Sequence, residues 1–289
     1  MNFTKMHGLA NDYVVVNGFE EKIEDPARLA AAISDRHRAV GSDGLILICP
    51  SEKALVRMRI FNADGSEAEM CGNGIRCAAK YACERGLCAG VSASETESRL
   101  RPVTIETGRG VLQADVIRGE NGTVRRVRVN MGEPILAPED IPVALPGETV
   151  IQRPAKLADM DLLLNCVSMG NPHAVFFVDN AGEVDLARTG PVIENDALFP
   201  RRSNVHFAQV ETRRRILVRT WERGSGITMA CGTGACAVCV AGVLAGLCDR
   251  AISAALPGGD LEVKWDENDN CVYMTGDAVE VFEGQYPYP

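Results

Sequence analysis

A chain of 289 residues is long enough for one large domain or for two domains of roughly 130–150 residues each, and we favour two. The apolar (46 %) and charged (24 %) fractions are those of a folded globular protein and exclude a largely disordered chain. The net charge of -9 argues against a general nucleic-acid-binding protein, which would need a basic face.

The N-terminal residues contain no apolar core of signal-peptide length, so we expect no export. Residues 235–247 form an apolar or glycine run that is shorter than the ~20 residues needed to cross a bilayer, so no membrane segment is expected. Eleven cysteines in a chain that is not exported indicate thiols in a reducing compartment rather than a disulfide framework. We therefore expect a cytoplasmic protein.

In chain order, the first half begins with short β-branched and aromatic runs and continues with a helix and a hairpin. The predicted strands are residues 13–17, 45–48 and 56–61, the helix is 74–84, and the hairpin turns at 120–122. Gly86 is a natural stop for the helix. The polar segment 91–101 is interpreted as a loop insertion, and a domain boundary is expected near residues 118–130.

The second half repeats this order of elements. The predicted strands are residues 175–178, 205–210 and 216–221, the helix is 234–245, and a hairpin turns near 266–269. Gly246 stops this helix as Gly86 stops the first. The second helix is apolar on all faces, which outside a membrane indicates that protein surrounds it.

The two halves also align residue by residue. The segment beginning at Ile60 matches the segment beginning at Thr220 without a gap, at a constant offset of 160 positions. The matched pairs include Phe61 with Trp221, Cys71 with Cys231, Gly72 with Gly232, Gly74 with Gly234 and, further upstream, Asn11 with Asn171. One offset held over this length indicates an internal duplication.

The duplication predicts an α+β fold of two pseudo-symmetric lobes. Each lobe is expected to be a strongly curved, barrel-like mixed β-sheet wrapped around one central helix. We expect residues 1–128 with about 275–289 to form the N-terminal lobe, residues 129–274 the C-terminal lobe, and the active site to lie in the cleft between them.

Cys71 and Cys231 stand out because both precede a Gly-x-Gly that opens a helix. A thiol at such a helix start lies at the positive end of the helix dipole and is expected to have a lowered pKa. The glycines let a ligand carboxylate approach the backbone N–H groups of the first turn. Two such thiols on opposite faces of one carbon would allow one to remove an α-proton and the other to return a proton.

Other readings of the cysteines are possible. The spacing Cys231-x4-Cys236-x2-Cys239 has part of a ferredoxin-type ligand pattern. However, Cys236 and Cys239 fall inside the predicted apolar helix, whereas a cluster needs ligands on a loop. A thiol-redox protein is a second alternative, in which Cys71 and Cys231 would form a disulfide as their working cycle.

Nine segments, in order along nearly the whole chain, resemble the diaminopimelate epimerase family. They are MHGLANDYVVV, GSDG, IFNADGSEAEMCGNG, RVNMGEP, VSMGNPHAVFFV, RRSNVHF, VRTWERGSGITMACGTGACA, LPGGDLEV and VYMTGDAV. The resemblance implies epimerisation of LL- to meso-diaminopimelate, for lysine and peptidoglycan precursor synthesis, by two pseudo-symmetric lobes. It also implies no pyridoxal phosphate or other cofactor, no metal, a small-molecule substrate and a possible homodimer.

The resemblance assigns roles position by position. Cys71 and Cys231 match the acid/base pair, and His173 and Glu222 match residues that tune the thiol pKa values. The positions that match substrate-binding residues are Asn11, Asn62, Gly72, Asn73, Asn171, Asn204, Glu222, Arg223, Gly232 and Thr233. A substrate with two carboxylates and two ammonium groups needs such a mixture of charges and neutral amides.

Gly44 departs from the family pattern, because some relatives carry a glutamine there that touches the substrate. Glycine offers at most a backbone contact. The nearest alternative is another racemase of the same superfamily, acting on proline, hydroxyproline or histidine, which would not require Arg223 to face a distal carboxylate.

Overall fold

The computed structural model describes residues 1–88 and 100–288. The chain divides into two compact units, one made of Met1–Asn130 together with Thr275–Pro289 and the other of Met131–Met274. Strands dominate both units, and the predicted α+β class is confirmed. Of the loop insertion predicted at 91–101, residues 91–99 lie outside the described residues. Residues 100 and 101 are not a loop but begin a strand.

The first unit is a mixed sheet with two helices. Its elements are β1 (Asn2–Gly8), β2 (Asn11–Asn17), α1 (Pro26–Ile33), β3 (Gly44–Cys49), β4 (Val56–Asn62), β5 (Glu67–Ala68), α2 (Gly72–Glu84), β6 (Leu100–Thr107), β7 (Gly110–Arg118), β8 (Val124–Asn130) and β18 (Val279–Gln285). Strands β2 and β3 are parallel, as are β4 and β6. The antiparallel pairs are β1–β18, β1–β2, β3–β4, β4–β5, β6–β7 and β7–β8. The sheet curves so that helix α2 contacts strands on several sides.

Helix α2 begins at Gly72, two residues earlier than predicted, because Cys71 adopts an extended conformation and acts as the N-cap. Both glycines of the Cys-Gly-x-Gly segment therefore lie in its first turn. The helix is buried from Gly72 to Ala82, and Gly86 follows its end with a φ of 71° that favours glycine.

The second unit has the same kinds of element. They are β9 (Arg153–Leu157), β10 (Met160–Ser168), β11 (Pro172–Phe177), a 3₁₀ turn (Ala181–Glu183), α3 (Leu186–Glu194), β12 (Asn204–Thr212), β13 (Arg215–Glu222), β14 (Gly226–Thr228), α4 (Gly232–Leu244), β15 (Ala251–Leu256), β16 (Gly259–Trp265) and β17 (Val272–Asp277). The last residues of β17 belong to the first unit. Asp185 caps α3 by accepting a hydrogen bond from the backbone N–H of Arg188.

The strand register repeats between the units. Tyr13 lies opposite Gly44 in one parallel pair, and His173 lies opposite Asn204 in the other. Both pairs obey the offset of 160 read from the sequence. The pairing scheme of β2 to β6 therefore recurs in β11 to β15, as an internal duplication requires.

Helix α4 is apolar all round, and Gly232 to Gly242 are all buried. It also starts two residues earlier than predicted, with Cys231 as its N-cap. Its buried surface is covered by β10, β11, β12, β15 and β16 of the same unit. Within the part of the chain that the structure describes, no helix combines the length and hydropathy that a membrane crossing needs.

Candidate active site

The first thiol, Cys71, lies between a helix start and a tyrosine. Its Sγ atom accepts a hydrogen bond from the backbone N–H of Gly74 at 3.5 Å. The Tyr13 hydroxyl lies 3.1 Å from the same sulfur. Tyr13 is itself buried on β2, and burial together with the neighbouring Cys71 raises the pKa of the phenol well above its ordinary value. The tyrosine therefore stays protonated and can donate to the sulfur.

Helix α2 also carries a buried cation close to its start. Arg76 is fully buried and donates hydrogen bonds to the carbonyl of Gly72 at 3.0 Å and to Oδ1 of Asn73 at 2.9 Å. Burial lowers the pKa of this guanidinium, and its interaction with Cys71 opposes that shift. The side-chain oxygen of Asn73 is thus directed to Arg76.

The two asparagines predicted for the first unit lie at strand ends. Asn11 begins β2 and is half-buried, whereas Asn62 ends β4 and is exposed. The amide of Asn62 donates to Ser66 Oγ at 3.0 Å. Gly44 lies opposite Asn62, and a Cβ atom added to Gly44 would come within 2.3 Å of the Phe61 carbonyl oxygen. This contact explains why position 44 carries no side chain here.

The second thiol, Cys231, is more enclosed than the first. Only 4 % of its surface is exposed, whereas Cys71 is half-buried. Burial raises the pKa of Cys231 well above its ordinary value, and the carboxylate of Glu222 raises it further. The expectation that the helix start lowers the thiol pKa is therefore wrong for Cys231, because desolvation outweighs the helix dipole.

A chain of hydrogen bonds leads away from Cys231. Its sulfur lies 3.6 Å from the Thr233 hydroxyl, which accepts from the Asn171 amide at 3.4 Å. Asn171 Oδ1 lies 2.9 Å from His173 Nε2, and His173 Nδ1 lies 2.9 Å from His206 Nε2. The chain ends at the Thr220 hydroxyl, 2.9 Å from His206 Nδ1.

The direction of this chain follows from donor and acceptor counting. Because Asn171 donates through its amide nitrogen, its oxygen accepts from His173 Nε2–H. His173 Nδ1 must then accept from His206 Nε2–H, and His206 Nδ1 accepts from the hydroxyl at the far end. Burial keeps both imidazoles neutral by lowering their pKa values, to about 3 for His206 and well below the ordinary value for His173. The hydroxyl of Thr233 remains able to donate to the sulfur.

Asn204 begins β12, Glu222 ends the adjoining strand β13, and Arg223 follows it. Asn204 is buried; its amide donates to the Pro172 carbonyl at 2.8 Å and its oxygen accepts from the backbone N–H of Arg223 at 3.0 Å. Glu222 accepts from the Thr228 hydroxyl at 2.6 Å. The guanidinium of Arg223 is partly exposed and donates to the Arg201 carbonyl at 3.0 Å.

Two of the remaining cysteines lie close together, with Cys83 Sγ 3.1 Å from Cys88 Sγ. Cys236 and Cys239 are fully buried inside α4, and burial raises the pKa of Cys239 well above its ordinary value. Among residues 1–88 and 100–288 there is no group of three side chains suited to binding a metal ion. The offset of 160 also matches Cys88 with Cys248, but both lie beyond the ends of the helices.

Four residues of the site were missed in the sequence: Tyr13, Arg76, His206 and Thr220. Tyr13 could have been found, because the offset that pairs Asn11 with Asn171 also pairs Tyr13 with His173. No sequence signal identified His206 or Thr220. Their counterparts under the offset are the apolar Ile46 and Ile60, so only the structure shows their hydrogen bonds.

Comparison with known proteins adds independent support. A family model described as "Diaminopimelate epimerase" matches residues 3–137 and 165–281. The chain belongs to the diaminopimelate epimerase family. The family expected from the nine motifs is therefore confirmed.

Two relatives illustrate how far the similarity to this family extends. The diaminopimelate epimerase of Acetivibrio thermocellus is 50% identical over 285 residues, covering 99% of this chain and 98% of the relative. The diaminopimelate epimerase of Moorella thermoacetica is 49% identical over 288 residues, covering 99% of both chains. The similarity therefore spans both units and every site residue described above.

Solved structures with lower sequence identity share the fold of this diaminopimelate epimerase family member. A phenazine biosynthesis protein of the PhzF family from Bacillus anthracis superposes with a TM-score of 0.68 at 19% identity, covering 100% of this chain and 99% of that chain. A probable proline racemase from Agrobacterium radiobacter K84 superposes with a TM-score of 0.69 at 16% identity, covering 100% and 93%. At these identities the likeness concerns the fold alone.

Proposed function

We propose that this protein is an isomerase that interconverts LL- and meso-2,6-diaminopimelate without a cofactor, in lysine and peptidoglycan precursor synthesis. The observation that carries the proposal is the recurrence of one arrangement in both units. In each, a cysteine is the N-cap of a buried helix whose first turn is Gly-x-Gly. Membership of the diaminopimelate epimerase family supports this substrate over others.

The proposed reaction exchanges one proton at the α-carbon. One thiolate removes the α-proton, so that the C–H bond breaks and an S–H bond forms. The thiol of the other unit then donates its proton to the opposite face, which inverts the centre and leaves that sulfur as the thiolate. Of the two sulfurs, Cys71 and Cys231, each serves as base in one direction and as acid in the other.

The carbanion needs stabilisation because an α-proton is very weakly acidic. We propose that the substrate carboxylate binds the backbone N–H groups of Gly72, Asn73, Gly232 and Thr233, where negative charge develops as the proton leaves. The helix dipoles act in the same sense. The glycines leave room for the carboxylate to reach the backbone.

The other predicted residues are proposed to hold the remaining polar groups of the substrate. Glu222 suits an ammonium group and Arg223 a carboxylate, since each carries the opposite charge. We propose that the substrate also binds four neutral side-chain amides, those of Asn11, Asn62, Asn171 and Asn204. His173 acts through Asn171 and Thr233 on the Cys231 sulfur, and Glu222 disfavours its thiolate.

The experiment that tests the function uses reduced protein with LL-diaminopimelate in D₂O and no added cofactor. We expect α-deuterium to appear together with meso product. L-Proline and trans-4-hydroxy-L-proline, incubated in parallel, should show no exchange. Exchange of either of these, with none in diaminopimelate, would refute the substrate assignment and favour another racemase of this fold.

We also propose that the enzyme is a cytoplasmic homodimer. The homodimer is supported by three apolar side chains of β18, Val279, Val281 and Phe282, which are 39–55% exposed. The location is supported by the absence of a disulfide among the eleven cysteines, all of which lie in the described residues. Light scattering after size-exclusion chromatography should give twice the chain mass of 31.1 kDa, and Val281→Asp should shift it towards the monomer.

A further inference from the structure

The Tyr13 hydroxyl is placed to act on a reacting atom. It lies 3.1 Å from Cys71 Sγ, and the tyrosine is 4% exposed on a strand that is hydrogen-bonded on both sides. The sulfur also accepts from the backbone N–H of Gly74. Two donors directed at one sulfur stabilise its anionic form, since hydrogen bonds to a charged acceptor are stronger than those to a neutral one.

The duplication shows that this contact distinguishes the two thiols. The counterpart of Tyr13 is His173, which reaches its own thiol only through Asn171 and Thr233. The counterpart of Asn62 is Glu222, whose carboxylate disfavours a second negative charge at Cys231.

The cation near the first thiol has no counterpart in the second unit. The residue that matches the buried Arg76 is Cys236, which has no cationic group and lies inside α4. All three differences, the phenol donor, the missing carboxylate and the added cation, favour negative charge at Cys71 over Cys231.

The charged and titratable groups facing each thiol are few. Around Cys71 they are Tyr13 from β2 and Arg76 and Cys77 from α2, with Asp43 and Asp277 facing the tyrosine and the arginine, respectively. Around Cys231 they are Glu222 from β13 and, through the hydrogen-bonded chain, His173 and His206, with Arg223 facing His173. The first set places a cation near the sulfur, and the second places an anion there.

We propose that Tyr13 holds Cys71 as the thiolate of the resting enzyme by donating a hydrogen bond to its sulfur, while Cys231 rests as the thiol. This inference rests on the two-thiol function proposed above. When Cys71 takes the α-proton, the C–H bond breaks and the S–H bond forms, and Tyr13 keeps its own proton throughout. The phenol thus stabilises the charge on sulfur before the step and does not act as an acid in it.

The test compares Tyr13→Phe with the wild-type protein. Iodoacetamide alkylates thiolates, and peptide mass spectrometry can follow Cys71 and Cys231 separately as the pH is raised. In Tyr13→Phe we expect Cys71 alkylation to need a pH about one unit higher, which makes it about tenfold slower at neutral pH. The acid limb of kcat/KM should move by a similar amount in the direction that uses Cys71 as base.

Tyr81→Phe is the matched control. Tyr81 is also a buried tyrosine of the first unit, but it lies on α2, nearly three turns beyond Cys71, and packs on Arg85. In Tyr81→Phe the pH dependence of Cys71 alkylation should equal that of the wild type. An unchanged profile in Tyr13→Phe, with an unchanged melting temperature, would overturn the proposal.

A second measurement needs no variant. In the wild-type protein Cys71 should become alkylated at a lower pH than Cys231, and the reverse order would overturn the proposal even if Tyr13→Phe failed to fold. Alkylation is measured in the absence of substrate and so does not depend on epimerisation. A protein that follows the expected profile yet exchanges no deuterium into diaminopimelate would therefore refute the proposed function and leave the role of Tyr13 intact.

Discussion

The helix glycines Gly74 and Gly234 occupy equivalent positions but differ in what surrounds them. A Cβ atom at Gly234 would lie 2.2 Å from His206 Cε1 and 2.9 Å from both ring nitrogens. The imidazole cannot simply rotate away, because its nitrogens are hydrogen-bonded to His173 and Thr220. At Gly74 the nearest atoms are the terminal methyl groups of two isoleucines, at 3.1 and 3.2 Å.

Gly234→Ala should therefore destabilise the protein much more than Gly74→Ala. Overpacking a well-packed interior costs about 1–3 kcal/mol. Displacing the ring leaves buried polar groups unpaired, which costs about 1–3 kcal/mol more. The better helix propensity of alanine offsets at most about 1 kcal/mol. We expect a net loss of about 2–4 kcal/mol for Gly234→Ala and a change of less than about 1 kcal/mol for Gly74→Ala.

Thermal unfolding followed by circular dichroism measures the difference. At about 2–4 °C per kcal/mol for a chain of this size, Gly234→Ala should melt roughly 5–15 °C below the wild type. Gly74→Ala serves as the control for adding a methyl group to the first turn of a buried helix. A Gly234→Ala protein that melts within 1 °C of Gly74→Ala would refute the packing argument.

Three further predictions concern the site. Cys71→Ala and Cys231→Ala should each lower the epimerisation rate by about 10²–10⁴-fold, since neither face can be served by the other thiol, and near-normal turnover of either in D₂O would exclude the two-base mechanism. Arg223→Ala should raise KM for diaminopimelate by about 10–100-fold with a smaller change in kcat, because one charge-assisted contact is lost, and a wild-type KM would contradict the substrate assignment. Stability should be complete above about pH 6.5 and fall below it, because His173 and His206 stay neutral when folded but gain protons on unfolding. At pH 5, proton uptake by each imidazole on unfolding should lower the free energy of unfolding, measured by urea denaturation, by about 2 kcal/mol. A His206→Gln variant whose stability depends on pH as that of the wild type does would contradict this explanation.

The fold could be predicted largely because the duplication repeats in the sequence. The strands and helices follow hydrophobic patterns, and the offset of 160 fixes which of them correspond. Both helices nevertheless begin two residues earlier than predicted, at Gly72 and Gly232. Glycine has a low intrinsic helix propensity, so the pattern predicts each start only at the second glycine of the Gly-x-Gly, whereas the extended N-caps Cys71 and Cys231 place the observed start at the first.

The site was predictable to a lesser degree. The recurring thiols and most polar residues follow from motifs, but the protonation of the thiols depends on what surrounds them in three dimensions. Burial of Cys231 outweighs the helix dipole, and no sequence pattern measures burial at one atom. His206 and Thr220 could not be found either, because they lie on two neighbouring strands and meet only through the register of β12 and β13.

The strand β18 has a consequence for how the chain is made. The first unit is discontinuous, and β1 pairs with β18 on one side and β2 on the other. During synthesis, residues 131–274 leave the ribosome before β18 does. One edge of β1 therefore has no partner strand until Gln285 has left the ribosome. A chain truncated before Val279 would keep that edge exposed and free to join strands of other chains. The N-terminal unit thus completes its sheet only after residues 131–274 have been synthesised.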